Sequence, residues 1–338
     1  MKKPYIIAEI AQAHDGNINI AHAFIDAVAK TKTASAIKFQ THIAAEESTV
    51  SEEWRKEFSH LTETRYEYWE RMEFSEHQWK QLKNHCEDAN LEFLSSPFSL
   101  AAAKLLANIG MKTWKIASGE VTNFPMIDYI ASLNNQRFII STGLCSDSEL
   151  EKCIERIKKY NNSIEILACT SKYPSPLEEI DLFSMLSMKK KFDCLVGLSD
   201  HSSSIYPSLA AYTLGASILE VHVTFHKDYF GPDNPASITL EDFVELGNGI
   251  DQLSKLLKQN KAKDNTNSSL MRDLFYKSIV LKKDIKKGDI FDIDNFLYLK
   301  PGTGIPASEY KNIQGLKASR DIKAGEVLLE GDIRGYKK

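Results

Sequence analysis

Short apolar runs alternate with amphipathic segments along most of this chain. Eight runs have the length and composition of buried strands, and they cover residues 5–11, 36–41, 92–96, 113–118, 137–142, 164–170, 194–199 and 217–223. The segments between them show the period of a helix, most clearly at 20–30, 75–89, 148–159, 205–214 and 240–257. Eight strand–helix repeats over about 255 residues predict a (β/α)8 barrel. The alternative, an open doubly wound sheet, would place a G-x-G-x-x-G turn after the first strand. His14-Asp15-Gly16-Asn17 does not have that pattern.

Polar residues stand at or just beyond the carboxyl end of every predicted strand. In chain order they are Glu9; Lys38 and Gln40; Ser95 and Ser96; Lys115, Ser118 and Glu120; Ser141 and Thr142; Thr170, Ser171 and Tyr173; Ser199, Asp200 and His201; and His222. One such residue is usually part of a solvated edge, whereas a packed barrel has no structural need for polar groups at every exit on one face. Barrel enzymes build their active sites from these ends. The pattern therefore predicts an active site at this face.

His201 and His222 are placed to meet at that face. The strand before His201 and the strand that carries His222 flank a predicted helix, and such a crossover makes the two strands parallel neighbours. Neighbouring strands are about 4.8 Å apart, so both imidazoles can reach one divalent ion such as Mn²⁺, Zn²⁺, Co²⁺ or Fe²⁺. The alternative is a pair of unrelated polar residues at two strand ends.

Two lysines, Lys38 and Lys115, lie among strand-end serines, namely Ser96, Ser118, Ser141 and Ser199. Cations with hydroxyl donors suit a small molecule that carries a phosphate and a carboxylate, such as phosphoenolpyruvate. The alternative role for such a lysine is a Schiff base, which requires an apolar site. Glu120 is placed to act as a general base or to orient a water, or else it is a surface carboxylate at the start of a helix.

Composition narrows the classes of function. The chain has 338 residues and a formal net charge of -4, so its composition does not indicate the basic surface that binds nucleic acid. No apolar run approaches the ~18 residues of a membrane span, and the first one is interrupted at Glu9, which is unlike a signal peptide. Five cysteines without a C-x-x-C pair are typical of reduced thiols and disfavour a cysteine zinc site. We expect a cytoplasmic protein.

A second, smaller domain is predicted after the barrel. The barrel is assigned to residues 1–257, and the polar stretch that follows it is interpreted as a linker over 258–274. Residues 275–338 contain short strands and turns, with two copies of the pattern D-I-K-x-G that begin at Asp284 and Asp321. A domain of roughly 60 residues has a small core and is expected to use a partner surface for stability.

Several of these segments resemble the sialic acid synthase family. The resemblance runs from about residue 5 to residue 333 and includes Ala8-Glu9-Ile10, Lys38-Phe39-Gln40-Thr41-His42, Ser95-Ser96-Pro97-Phe98, Trp114-Lys115-Ile116-Ala117-Ser118-Gly119-Glu120, Ser141-Thr142-Gly143, Cys169-Thr170-Ser171-Lys172-Tyr173-Pro174, Gly197-Leu198-Ser199-Asp200-His201 and Gly231-Pro232-Asp233. The small domain is similar to the antifreeze-like (SAF) domain of these enzymes. They condense phosphoenolpyruvate with an N-acetylated hexosamine and release phosphate.

The resemblance implies a role for each candidate residue. The implied metal ligands are His201 and His222, with Mn²⁺ as the expected ion and Mg²⁺ or Co²⁺ as alternatives. The implied phosphoenolpyruvate site consists of Lys38, Ser96, Lys115, Ser118, Ser141, Ser171 and Ser199. The implied sugar contacts are Glu9, Gln40, Tyr173, Asp233 and Lys300, and the implied catalytic residues are Glu120, Glu9 and Lys115. The implied assembly is a domain-swapped homodimer in which the SAF domain caps the partner's barrel.

The identity of the sugar is the least constrained part of this expectation. Lys300 stands where bacterial members typically place an arginine, and the two side chains differ in directional hydrogen bonding. Ser96 and Ser171 also replace the usual Thr and Asn, and Ala13 replaces an Asn. We expect an N-acetylneuraminate synthase that uses N-acetylmannosamine. The alternatives are a legionaminic or pseudaminic acid synthase that uses a diacetamido hexose, a synthase of shorter sugar acids, and a non-catalytic carbohydrate-binding barrel.

Overall fold

The computed structural model describes residues 2–54, 62–258 and 265–336, with side chains from residue 269 onward in the last range. The chain divides into two compact units, Met1–Lys258 and Gln259–Lys338. Each unit is described by itself. None of the helices in the described ranges has the length and apolar character needed to cross a bilayer. The five cysteines are free thiols.

The first unit is a closed barrel of eight parallel strands. The strands are β1 (Tyr5–Ala11), β2 (Ala36–Thr41), β3 (Glu92–Pro97), β4 (Thr113–Ile116), β5 (Arg137–Ser141), β6 (Ser163–Cys169), β7 (Leu195–Asp200) and β8 (Ile218–Thr224). Each strand pairs with the next one along the chain, and β1 also pairs with β8, which closes the ring. A short strand β9 (Ile238–Thr239) pairs in parallel with the end of β8. The predicted barrel fold is confirmed.

Helices follow the strands and pack around the barrel. In chain order they are α1 (Ile18–Thr31), α2 (Ala44–Glu47), α3 (Arg65–Met72), α4 (Glu76–Asp88), α5 (Leu100–Asn108), α6 (Phe124–Ser132), α7 (Asp147–Ile157), α8 (Leu182–Phe192), α9 (Tyr206–Thr213) and α10 (Leu240–Leu256). Capping boxes begin several of them, for example at Ser146 before α7 and at Thr239 before α10. A capping box satisfies the unpaired N–H groups of the first turn, so the polar residue before each apolar stripe sets where the helix starts.

The interior of the barrel changes from apolar to polar along its axis. Side chains alternate along a strand, so residues two apart point to the same face. The apolar layer consists of Ile7, Ala36, Leu94, Ile139, Leu167 and Ile218. Two residues further along the same strands stand Glu9, Lys38, Ser96, Ser141, Cys169 and Glu220. Gly197 is required in this packed region, because a Cβ there would lie 2.1 Å from the carbonyl oxygen of Ile218.

The second unit has its own small core. It contains α11 (Asn265–Phe275), the antiparallel pair β10 (Ser278–Leu281) and β11 (Phe296–Leu299), the one-turn helix α12 (Tyr310–Ile313), and the antiparallel pair β12 (Lys317–Ala318) and β13 (Ile333–Arg334). The predicted linker, 258–274, lies in part outside the described residues. Its last part is α11, because Leu270 and Leu274 recur at helical spacing among polar residues.

The two D-I-K-x-G segments of the second unit pair with each other. Ile285 forms an antiparallel bridge with Ile322. Asp284 accepts a hydrogen bond from the Ala324 N–H at 2.9 Å, and Asp321 accepts one from the Lys287 N–H at 2.8 Å. The repeated pattern therefore encodes two equivalent turns, each of which satisfies backbone donors of the other.

Candidate active site

Closure of the barrel brings Glu9 between two candidate residues. Glu9 on β1 is in register with Lys38 on β2 and with His222 on β8. Its carboxylate forms an ion pair with the Lys38 ammonium, and the Gln40 side-chain N–H donates to it at 3.3 Å. Lys38 also donates to the Ser96 hydroxyl at 3.3 Å. Lys38 is only 3% exposed, so it is not a solvated edge residue.

A second ion pair lies in the same polar layer of the barrel. Lys115 donates to the Ser141 hydroxyl at 2.6 Å, and its ammonium lies 3.6 Å from the Glu220 carboxylate. The Ser199 hydroxyl donates to the same carboxylate at 2.9 Å. Glu220 is absent from the residues predicted from sequence. The signal that could have found it is a carboxylate inside an apolar strand, two residues before His222 and therefore on the same face.

Burial and mutual attraction set the charges of these groups. Burial opposes ionisation of Glu220, but Lys115 and Lys38 outweigh it and hold the pKa of that carboxyl well below its usual value. Burial also opposes the charge of Lys38, but Glu220 and Glu9 raise its pKa overall. Burial lowers the pKa of Lys115 despite the attraction of Glu220. For Glu9, burial raises the pKa against the opposing effect of Lys38. The polar layer thus holds two cations opposite two carboxyl groups.

The structure brings the two predicted metal ligands together. The ring centroids of His201 and His222 are 5.2 Å apart, and the Tyr173 ring stacks on His201 at 4.1 Å. Burial, with His222 next to it, lowers the pKa of His201 to about 3, so the ring is neutral. His201 Nδ1 lies 2.9 Å from the carbonyl oxygen of Thr170. A proton on Nδ1 satisfies that contact and leaves the Nε2 lone pair for a ligand.

This donor set suits a divalent ion with open positions. Two neutral imidazoles are ordinary ligands of Mn²⁺, Co²⁺ or Zn²⁺. In the part of the chain that the structure describes, no group of three His, Cys, Asp or Glu side chains is arranged to hold a metal. The remaining positions would therefore be filled by water or substrate oxygens.

A cavity of about 570 Å³ opens beside Tyr173, the residue that stacks on His201. The predicted residues that line it are Gln40, Ser118, Glu120, Ser171, Tyr173 and Asp233. Glu120 lies in the short 3-10 helix Ser118–Glu120 and accepts a hydrogen bond from the Asn123 amide at 2.8 Å. Burial raises the pKa of Glu120. A half-buried carboxyl with a raised pKa is a better base than a surface carboxylate, so its position suits the predicted role.

Further residues of the cavity are missing from the sequence-based set. His42 Nδ1 is 2.7 Å from the Glu47 carboxylate, and its Nε2 is 3.0 Å from the Gln12 side-chain nitrogen. The rings of Trp69 and Phe98 stack on His42, and we call these three side chains the aromatic wall. His42 and Phe98 are part of the motifs quoted above. Trp69 lies in a helix that the hydrophobic pattern did not single out.

Lys300 belongs to the second unit, Gln259–Lys338. There its ammonium lies 4.8 Å from the centre of the Phe275 ring. Its contact with the acceptor sugar stays a prediction.

Comparison with protein families decides the relationship. The model of the NeuB family matches residues 24–262, and the model of the SAF domain matches residues 276–334. The chain belongs to the NeuB family. It is 35% identical over 338 residues to N,N'-diacetyllegionaminic acid synthase of Campylobacter jejuni, and the match covers 98% of this chain and 100% of that one.

Two further relatives of this NeuB family chain indicate the range of products. It is 32% identical over 340 residues to pseudaminic acid synthase of C. jejuni, with 98% of this chain and 97% of that one covered. The crystal structure of N-acetylneuraminic acid synthetase from Leptospira borgpetersenii superposes with a TM-score of 0.69 at 27% identity, covering 80% of this chain and 91% of that one. The chain is therefore an enzyme of the nonulosonic (sialic-type) acid synthase family, and its tail is a SAF domain.

Proposed function

We propose that this enzyme condenses phosphoenolpyruvate with the open-chain form of an N-acylated hexosamine and releases phosphate. The observation that carries the proposal is the polar layer at one end of the barrel, where Lys38 and Lys115 lie among serine hydroxyls beside the cavity that contains Glu120. Two cations and several hydroxyl donors are the groups that bind a phosphate and a carboxylate. Membership in the NeuB family supports the same reaction.

The proposed binding mode follows from the charges. Lys38, Lys115, Ser96, Ser118, Ser141, Ser171 and Ser199 would hold phosphoenolpyruvate. The Ser118 and Ser171 hydroxyls are 3.4 Å apart and line the cavity, which gives a pair of donors there. Glu9 and Glu220 balance the two lysines before the substrate binds, so a strongly anionic substrate would redistribute these ion pairs.

The proposed reaction proceeds in two stages. C3 of phosphoenolpyruvate forms a bond to the aldehyde carbon of the acceptor, and the aldehyde oxygen takes up a proton. Water then adds at C2 and gives a proton to Glu120. The C2–O bond to phosphate breaks as the C2 hydroxyl becomes a ketone; the proton on Glu120 passes to the leaving phosphate, and the hydroxyl proton is released to solvent, which balances the proton that the aldehyde oxygen took up from solvent. Glu9, Gln40, Tyr173 and Asp233 would orient the acceptor for these steps.

We further propose that His201 and His222 hold a divalent ion, with Mn²⁺ as the first candidate. When bound, such an ion polarises the aldehyde as a Lewis acid. The carbonyl of Thr170 orients the His201 ring for this role through its contact with Nδ1.

We propose a diacetamido hexose as the acceptor, in preference to N-acetylmannosamine. The 35% and 32% identical relatives, an N,N'-diacetyllegionaminic acid synthase and a pseudaminic acid synthase, support this choice. The sequence alone favoured N-acetylmannosamine. Lys300 in place of an arginine is in keeping with a different sugar substituent.

We also propose a homodimer in which the SAF domain of one subunit caps the other's barrel, and a cytoplasmic location. The dimer is supported by the apolar residues of α11, since Leu270, Met271, Leu274 and Phe275 are each more than half exposed within one chain. Exposed apolar surface of this kind marks an interaction site. Analytical ultracentrifugation of the full chain tests it, and a strictly monomeric enzyme with full activity would contradict it.

The reaction is tested by incubating the enzyme with phosphoenolpyruvate, Mn²⁺ and single acceptors. The panel contains N-acetylmannosamine, its 6-phosphate and diacetamido hexoses, with phosphate release and product mass as readouts. We expect phosphate release with a diacetamido hexose and a product mass equal to acceptor plus pyruvate. Binding of sugars without any phosphate release would favour the non-catalytic alternative.

A further inference from the structure

Strand β2 carries two candidate contact residues, Lys38 and Gln40, and His42 follows the strand directly at the same spacing. Lys38, Gln40 and His42 are two residues apart, so they lie on one face at steps of about 7 Å. Lys38 is in the buried polar layer of the barrel, while Gln40 and His42 line the cavity. Along this face, the buried lysine is therefore followed first by the Gln40 amide and then by the His42 ring.

The aromatic wall is held in a defined orientation. The ring centroids of Trp69 and Phe98 are 4.2 Å and 4.6 Å from that of His42, with interplanar angles of 15° and 14°. Two rings this close and this parallel to a third must lie on its opposite faces, because on one face they would overlap. The Trp69 indole N–H also donates to Glu52 at 2.9 Å, which fixes its edge. Because both faces of His42 are covered, the apolar surface that the wall presents consists of Trp69 and Phe98.

A chain of hydrogen bonds connects the aromatic wall to Glu9 in the polar layer of the barrel. Glu47 accepts from Nδ1 of His42, which leaves Nε2 to accept from the Gln12 amide. The same Gln12 nitrogen donates to the side-chain oxygen of Gln40, and Gln40 donates to Glu9. Because Gln12 donates to both His42 and Gln40, and Gln40 accepts through its oxygen while it donates through its nitrogen, the orientations of Gln12 and Gln40 are coupled to that of His42.

We propose that the aromatic wall recognises the second N-acyl substituent of the acceptor, which N-acetylmannosamine lacks, and that Trp69, the member of the wall outside the family motifs quoted above, makes it select diacetamido hexoses over N-acetylmannosamine. This inference rests on the function proposed above. The aldehyde must face Lys38 and Lys115, where phosphoenolpyruvate would bind. The sugar carbons further from the aldehyde then lie towards His42. The methyl and planar amide of an acetamido group pack well on aromatic rings. A hydroxyl in the same place offers these rings neither a methyl group nor an amide plane.

The test compares acceptors in Trp69→Ala, Phe98→Ala and a control variant, Phe183→Ala. Phe183 is an aromatic residue on α8 that is 70% exposed, so its removal should change neither fold nor site. For each variant, kcat/KM is measured with a diacetamido hexose and with N-acetylmannosamine, and KM is measured for phosphoenolpyruvate. We expect kcat/KM for the diacetamido hexose divided by kcat/KM for N-acetylmannosamine to fall about tenfold in Trp69→Ala and Phe98→Ala. The KM for phosphoenolpyruvate should stay unchanged, and Trp69→Phe should restore most of the ratio.

Failure of this inference is distinguishable from failure of the proposed function. If the wild-type enzyme releases no phosphate with any acceptor, the proposed function is wrong, and the inference falls with it. If the wild type is active and the wall variants lose activity equally for both acceptors, or keep the wild-type ratio, only the inference is overturned. Should Trp69→Ala fail to fold by circular dichroism, Phe98→Leu provides the same comparison with a smaller loss of packing.

Discussion

Glu220→Gln would remove one of the two carboxylates that face two buried lysines. Glu220 is 3% exposed, 3.6 Å from the Lys115 ammonium, and 2.9 Å from the Ser199 hydroxyl. The amide keeps the shape of the side chain and can still accept from Ser199, so the substitution isolates the charge. Glu9 then remains paired with Lys38, and Lys115 loses its carboxylate partner.

The size of the effect follows from burial of an uncompensated charge. Removing one partner of a buried ion pair costs about 3–5 kcal/mol, and the retained Ser199 hydrogen bond places our expectation near the lower end, at about 3 kcal/mol. The same excess positive charge should strengthen binding of phosphate or phosphoenolpyruvate by about tenfold or more. Stability and anion affinity should therefore change in opposite directions.

The loss of stability should depend on pH. Burial already lowers the pKa of Lys115, and loss of Glu220 lowers it further. A lysine whose pKa is depressed in the folded state destabilises the protein in full below that folded pKa. The penalty disappears as the pH rises towards the unfolded value, about 10.4. The difference between variant and wild type should consequently shrink as the pH rises towards about 10.

Urea unfolding followed by tryptophan fluorescence measures the free energy of unfolding of the barrel alone at each pH, because all four tryptophans lie before residue 258. The matched control is Glu165→Gln. Glu165 is 8% exposed and pairs at 2.8 Å with Arg137, which keeps its proton at every accessible pH. The control should lose stability without recovery at alkaline pH. A Glu220→Gln variant within about 1 kcal/mol of wild type, or one with the pH dependence of the control, would refute the reasoning.

Three further predictions concern the metal, phosphoenolpyruvate and the small domain. Ala at His201 or His222 should abolish most activity and Mn²⁺ binding while the fold stays intact; near wild-type turnover and metal content would contradict the metal site. Lys115→Met should weaken phosphoenolpyruvate binding by about 2 kcal/mol, measured by calorimetry, whereas trapping of a substrate on Lys115 by borohydride would indicate a Schiff-base reaction instead. Truncation after Leu257 should impair acceptor affinity and dimerisation more than phosphoenolpyruvate binding, and Lys300→Ala should change acceptor preference with unchanged metal content. A monomeric barrel with wild-type acceptor kinetics would show that the SAF domain is not a lid.

The barrel itself could be predicted from the chain because its local signals agree. The first two strands have the predicted bounds, Tyr5–Ala11 and Ala36–Thr41, and the long helix α10 ends within one residue of its prediction. Strong apolar runs set the strands, and polar capping residues set the helix starts. The two-residue period of a strand also determined that Glu9, Lys38 and Ser96 share the inner face with the apolar layer. These are local properties, and a single sequence contains them.

Only the closed barrel decided which of those residues are partners. Glu9 and His222 become neighbours because β1 pairs with β8, although they are far apart along the chain. Glu220 gains its role from Lys115, which comes from the opposite side of the ring. The aromatic wall likewise joins residues from the end of β2, from α3 and from the end of β3. Such contacts depend on barrel closure and on loop packing, which no periodicity in the sequence records.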